Sequence, residues 1–153
     1  MQLSRSIVPI FEYEEGGKWG GFLGTGTFVG DPPILVTAYH VLRDHGPDFA
    51  VVLPPSPIKW GVNAFGADML RFDEAFDLAL LAVQGYVPPN AFILADETEI
   101  ANNVPVLCYE FGTTTRVASV DHLAPATRMG NVTRVIDLSE QFGPAGLQAL
   151  ELS

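Results

Sequence analysis

Apolar residues fall in short runs broken by polar and turn-forming positions. IVPIF, GFLGTGTFVG, PILVTA, FAVVL, LALLAV and VPVLCYEF are rich in Val, Ile, Phe, Thr and Tyr, and Gly or Pro bounds most of them. β-Branched and aromatic side chains suit a pleated, half-buried surface, so these runs predict strands. No segment keeps a 3.6-residue apolar stripe for three turns, and HVLRDH after ILVTA is at most one helical turn. Fifteen Gly and twelve Pro punctuate the chain, as in DPP at 31–33, PPSP at 54–57, VPPN at 87–90 and FGPAG at 142–146. Short strands at regular spacing predict an all-β closed sheet or sandwich.

The clearest boundary is GYVPPNAF at 85–92. Residues 1–85 hold about six strand candidates, enough to close one small barrel. Residues 86–153 hold a linker and about four more, VPVLCYEF, RVASVDHL, ATRMGNVTRV and LQALELS, too few to close a second barrel. There is no repeat at a fixed period and no low-complexity tract.

Composition narrows the function classes. Of the 153 residues, 48 % are hydrophobic and 17 % charged, which argues for a folded core rather than disorder. The formal net charge of −10 disfavours nucleic acid and anionic membrane surfaces as partners, and leaves a protein or peptide substrate open. A single cysteine, Cys108, allows no internal disulfide and suggests a reducing compartment. The start, MQLSRSIVPIFEYEE, turns acidic before any long apolar region accumulates, and LALLAV is too short to span a bilayer. The expectation is a cytoplasmic protein.

Two phrases carry candidate chemistry. His40 closes ILVTAYH, and Asp77 opens DLALLAV. A carboxylate beside an apolar run is expected to be buried, and burial is costly without a partner that a histidine can supply. A general base needs an imidazole at the surface held in one tautomer, which the end of a buried strand can support. The bland alternatives are a structural histidine at a strand end and an acidic strand cap. Asp73 and Glu74 compete with Asp77 as the acid, but only Asp77 abuts LALL. Asp68, Asp73, Glu74 and Asp77 do not follow the spacing of a calcium loop. GTGTFVG at 24–30 departs from G-x-G-x-x-G, so it predicts no phosphate cradle.

Together these phrases resemble the trypsin-like (chymotrypsin-fold) serine peptidases, of a bacterial, disulfide-free style. ILVTAYH is similar to that family's L-T-A-A-H, with Tyr39 as a bulky departure that narrows the substrate crevice. DLALLAV is similar to its D-L-A-L-L phrase, and Gly24, Gly26 and Phe28 match its glycine-rich strand, where glycine permits close packing. VPVLCYEFG, with Tyr109 or Phe111 and then Gly112, is similar to its aromatic–glycine segment. The resemblance implies a chymotrypsin-like double β-barrel, the first barrel complete and the second partial, with a site in the crevice between them. It implies His40 as base and Asp77 as the residue that orients it, in the order of a Ser-His-Asp triad.

The nucleophile is missing from this pattern. The family places its serine in G-x-S-G-G, where flanking N–H groups form the oxyanion hole. Ser4, Ser6, Ser56, Ser119, Ser139 and Ser153 all lack a neighbouring glycine. LQALELS is similar to the strand that runs just ahead of that loop, so the expectation is a chain that breaks off before its nucleophile. Cys108, within an apolar strand, reads as a small buried hydrophobe rather than a nucleophile. NVT at 131–133 has the form of a glycosylation site without a leader to give it meaning. His45 and His122 have no ligand-spaced partners, and no cofactor or metal is implied. Trp19 and Trp60 read as packing residues or loop anchors. Two functions remain: a peptidase whose nucleophile comes with a further segment, on the same or a separate chain, and a peptidase-like binding module that has lost it.

Overall fold

The computed structural model describes residues 3–14, 18–53, 58–94, 104–111, 125–137 and 148–152. The described residues are all-β apart from two 3-10 turns, Leu3–Arg5 and Tyr39–Val41. Contacts divide the chain into two compact units, Met1–Ile93 with Glu110–Ala126, and Leu94–Tyr109 with Thr127–Ser153.

The first unit contains a closed six-stranded barrel. Its strands are β1 (Ile7–Glu14), β2 (Lys18–Val29), β3 (Ile34–Ala38), β4 (Phe49–Val52), β5 (Ala64–Asp73) and β6 (Leu78–Val83), in the order β1-β2-β3-β6-β5-β4. All six pairings are antiparallel. Strand side chains alternate between faces, and the inward set fills the lumen: Val8, Ile10, Phe28, Leu35, Val51 and Leu81 are fully or almost fully buried. Burying each such side chain contributes roughly 1.5–3 kcal/mol. Residues 86–92 remain tied to this barrel. Tyr86 packs on Phe65 and Phe28, its hydroxyl donates to the Arg5 carbonyl at 2.8 Å, and Phe92 exchanges backbone bonds with Phe28 and Gly30.

One barrel strand is poorly marked in the sequence. In β5, Phe65, Ala67 and Met69 alternate inward, but a register shift between Met69 and Arg71 breaks the pattern, and Leu70, Arg71, Phe72 and Asp73 are exposed. A bulge of this kind bends the strand and re-aims its side chains.

The second unit holds most of a three-stranded sheet, β7 (Pro105–Phe111), β8 (Pro125–Asp137) and β9 (Gln148–Leu152), in the order β7-β8-β9. The expected double-barrel class is therefore present as one closed barrel and a partial second sheet. RVASVDHL lies outside the described residues. Cys108 corrects an expectation: it is exposed, not buried. Among the described residues β7 is the outer strand of its sheet, so an apolar sequence does not guarantee cover on both faces. Asn131 and Thr133 both lie on β8.

Candidate active site

Antiparallel pairing of β3 with β6 brings His40 and Asp77 together. Leu35 lies opposite Leu81, and the register runs to Ala38 opposite Leu78, so the residues just after β3 meet those just before β6. One further rung follows, with the Tyr39 N–H donating to the Asp77 carbonyl at 3.1 Å. The chain then winds into the 3-10 turn, where the N–H groups of Leu42 and Arg43 donate to the Tyr39 carbonyl at 2.9 and 3.1 Å. Buried Leu42 anchors that turn in the core.

The glycine-rich strand supports it from the other side. β2 pairs with β3 from Thr27 opposite Val36 to Val29 opposite Ile34. A Cβ on Gly24 would stand 2.7 Å from Cγ1 of Val41, and one on Gly26 would stand 2.9 Å from Leu35 Cδ1. The glycines thus make room for the strand and turn that carry His40. The buried Thr37 hydroxyl donates to the Thr25 carbonyl at 2.9 Å, and the Thr25 hydroxyl accepts the Phe111 N–H at 3.1 Å.

Asp77 sits at the end of the β5–β6 turn. The Asp73 carboxylate accepts the N–H groups of Ala75 and Phe76 at 2.9 and 3.1 Å, an Asx-type turn. Asp77 itself has φ +52°, and among the described residues it is the only non-glycine with positive φ. Aspartate tolerates this left-handed conformation better than most residues, but it persists only where its surroundings hold it. Here they do. Oδ1 accepts the backbone N–H of His40 at 2.8 Å, and Oδ2 accepts Nδ1–H of His40 at 2.6 Å. The side-chain bond from His40, and next its backbone N–H, hold the Asp77 carboxyl below its ordinary pKa. A carboxylate accepts only, so the contact assigns the proton to Nδ1 and leaves the lone pair on Nε2.

The expectation of a buried carboxylate is corrected. The side chains of His40 and Asp77 are 59 % and 48 % exposed, because both residues lie past the strand ends rather than within the packed ladder. Asp68 and Asp73 do not join them: Asp68 accepts from the Gln84 side chain, and Asp73 is used in the turn. Among the described residues no three His, Cys, Asp or Glu side chains gather as metal ligands would.

Solved structures with this architecture are proteases. An HtrA-type protease, AlgW, determined with a decapeptide, superposes with a TM-score of 0.70 at 12 % identity, over 99 % of this chain and 49 % of that one. The MamO protease domain from Magnetospirillum magneticum superposes with a TM-score of 0.59 at 17 % identity, over 97 % of this chain and 69 % of that one. The chain has the trypsin-like serine-peptidase fold. In sequence, it is 34 % identical over 92 residues to the magnetosome formation protease MamE of Paramagnetospirillum magneticum. That match covers 59 % of this chain and 12 % of MamE. No family model matches.

In this trypsin-like fold the serines fall apart from the His–Asp pair or outside the described residues. Ser6 is buried and its hydroxyl donates to the Asn90 carbonyl. Ser4 lies in the first 3-10 turn, and Ser56, Ser119, Ser139 and Ser153 are not among the described residues. His45 contacts Glu12 at 3.5 Å, and Trp60 stacks on Tyr13 at 4.7 Å. One neighbour of the site had no sequence signal. The ring of Tyr39 lies flat on that of Phe72, with centroids 4.3 Å apart and planes 6° apart. Only the bulge in β5 brings Phe72 there.

Proposed function

We propose that this chain supplies the base and its orienting acid to a trypsin-like serine endopeptidase acting on protein or peptide. The observation that carries the reading is the pair of hydrogen bonds that His40 donates to Asp77, through Nδ1–H and through the backbone N–H. It fixes one tautomer and one ring orientation, as a general base requires.

In the proposed reaction a serine hydroxyl gives its proton to Nε2 of His40 as its oxygen adds to the scissile carbonyl. Asp77 stabilises the imidazolium that forms. His40 then returns the proton to the departing amine, and water, activated in the same way, releases the acyl group. No serine within these 153 residues has the flanking glycines that an oxyanion hole needs. We therefore assign serine and oxyanion donors to polypeptide beyond this segment, and expect the 153 residues alone to be inactive. Residues 1–85 and 86–153 would then be parts of one peptidase domain.

The test is peptide hydrolysis by the full-length polypeptide in which these residues occur. His40→Ala is expected to lower kcat about 10⁶-fold and Asp77→Asn about 10⁴-fold, with little change in KM. Hydrolysis that survives His40→Ala sinks the reading. The absence of a glycine-flanked serine favours a second reading, a peptide-binding module without turnover. That reading requires bound peptide, no hydrolysis, and affinity indifferent to His40→Ala.

A further inference from the structure

We propose that the Tyr39–Phe72 ring pair is a positioning device that holds the His40–Asp77 hydrogen bond. The inference rests on the assignment of His40 as base for its functional meaning, but not for its geometry.

Each ring belongs to a residue next to one that builds the site. Tyr39 immediately precedes His40, and its N–H is bonded to the Asp77 carbonyl. Phe72 immediately precedes Asp73, whose carboxylate caps the turn ending at Asp77. Their strands are not neighbours: β3 and β5 flank β6 on opposite sides. Thr37 and Phe72 both lie opposite Ala79, one across each ladder. Residues directly opposite share a face, so Thr37, Ala79 and Phe72 form one row across three strands. Tyr39 follows Thr37 by two residues, at the start of the 3-10 turn, and its ring lies flat on Phe72 with centroids 4.3 Å apart. The stack thereby bridges the start of β6, where the left-handed Asp77 has to be held. Ala79 offers no side chain long enough to make that bridge itself.

Burial alone does not account for the pairing. Phe72 is 49 % exposed and sits on the exposed, bulged half of β5. An aromatic ring left half in water, with its face on a partner, gives directional coupling more than core volume.

The test reads the bond itself, in this chain, without any need for turnover. The Nδ1–H proton of His40 is observed by NMR, together with its exchange with water, in the parent protein and in Phe72→Tyr, Phe72→Leu and Phe72→Ala. Thermal unfolding of each variant is followed in parallel. Phe72→Tyr is expected to match the parent. Phe72→Leu, which keeps apolar area without a ring face, and Phe72→Ala are expected to exchange roughly threefold to tenfold faster while remaining folded. Should Phe72→Ala unfold, Phe72→Leu decides alone. Exchange in Phe72→Leu equal to the parent overturns the proposal, as does equal loss in Phe72→Tyr and Phe72→Leu. If the bond loosens as stated while the longer protein still hydrolyses peptide with His40→Ala, the positioning role stands and the peptidase assignment falls.

Discussion

The closed barrel and the three-stranded sheet are built from similar apolar runs, yet among the described residues only the barrel closes on itself. In the barrel every strand has two neighbours, and Leu35, Leu81 and Val51 face a lumen closed on all sides. In the sheet, β7 and β9 are the outer strands among the described residues, and Leu107, Cys108 and Met129 are exposed. Closure removes unpaired backbone and gives each inward side chain partners, whereas an open sheet offers its edges to another strand. Both members of the His–Asp pair belong to the closed unit. The closed barrel therefore carries the geometry that acid–base chemistry needs.

The largest expected contrast is in amide exchange. Amides of β1, β2, β3 and β6 should exchange only on global opening, about 10³-fold or more slower than those of β7, β8 and β9. Uniformly slow exchange across both regions would erase the distinction. Core truncation sharpens it next. Leu35→Ala is expected to destabilise by about 2–5 kcal/mol in urea unfolding, and Leu107→Ala on the exposed sheet by no more than about 0.5 kcal/mol. Comparable losses at the two sites would show that the sheet has a core of its own. Gly24→Ala follows, at roughly 1–3 kcal/mol, because its Cβ collides with Val41. Gly21→Ala, with nothing within 4 Å, is the control and should be close to neutral.

The smallest effect is the pH dependence of the His–Asp contact. The Asp77 carboxyl titrates below its ordinary value when folded. Its contribution to stability is therefore complete above the unfolded carboxylate pKa and fades as pH falls through the folded one. The pair is half exposed, so the contribution is modest. Asp77→Asn should differ from the parent in thermal midpoint at neutral pH and converge with it in acid. A difference that grows as pH falls would reverse the assigned sign.

Most of the barrel is legible in the sequence because each inward position lies within an uninterrupted ladder. ILVTA, LALLAV and FAVVL alternate or saturate as buried strands must, and β3, β6 and β4 follow. The exception is β5, where a bulge interrupts the alternation and leaves Leu70 and Phe72 exposed. For the same reason the Tyr39–Phe72 stack could not be anticipated from spacing. His40 and Asp77 were legible as a pair because each borders a strand whose neighbour carries the other. Their exposure was not, because an apolar run marks the ladder and not the turn beyond it. Cys108 misled in the opposite sense, its apolar neighbours implying cover that an edge strand lacks.

The central claim is that His40, oriented by Asp77, activates a serine supplied from beyond these residues. Fluorophosphonate labelling tests it most directly, on the longer protein containing this chain and on the 153 residues alone. The account predicts one labelled serine in the longer protein, lost with His40→Ala and strongly slowed with Asp77→Asn, and no labelling of the shorter chain. Labelling of the longer protein that is indifferent to His40→Ala, or labelling of the shorter chain that His40→Ala abolishes, would contradict it.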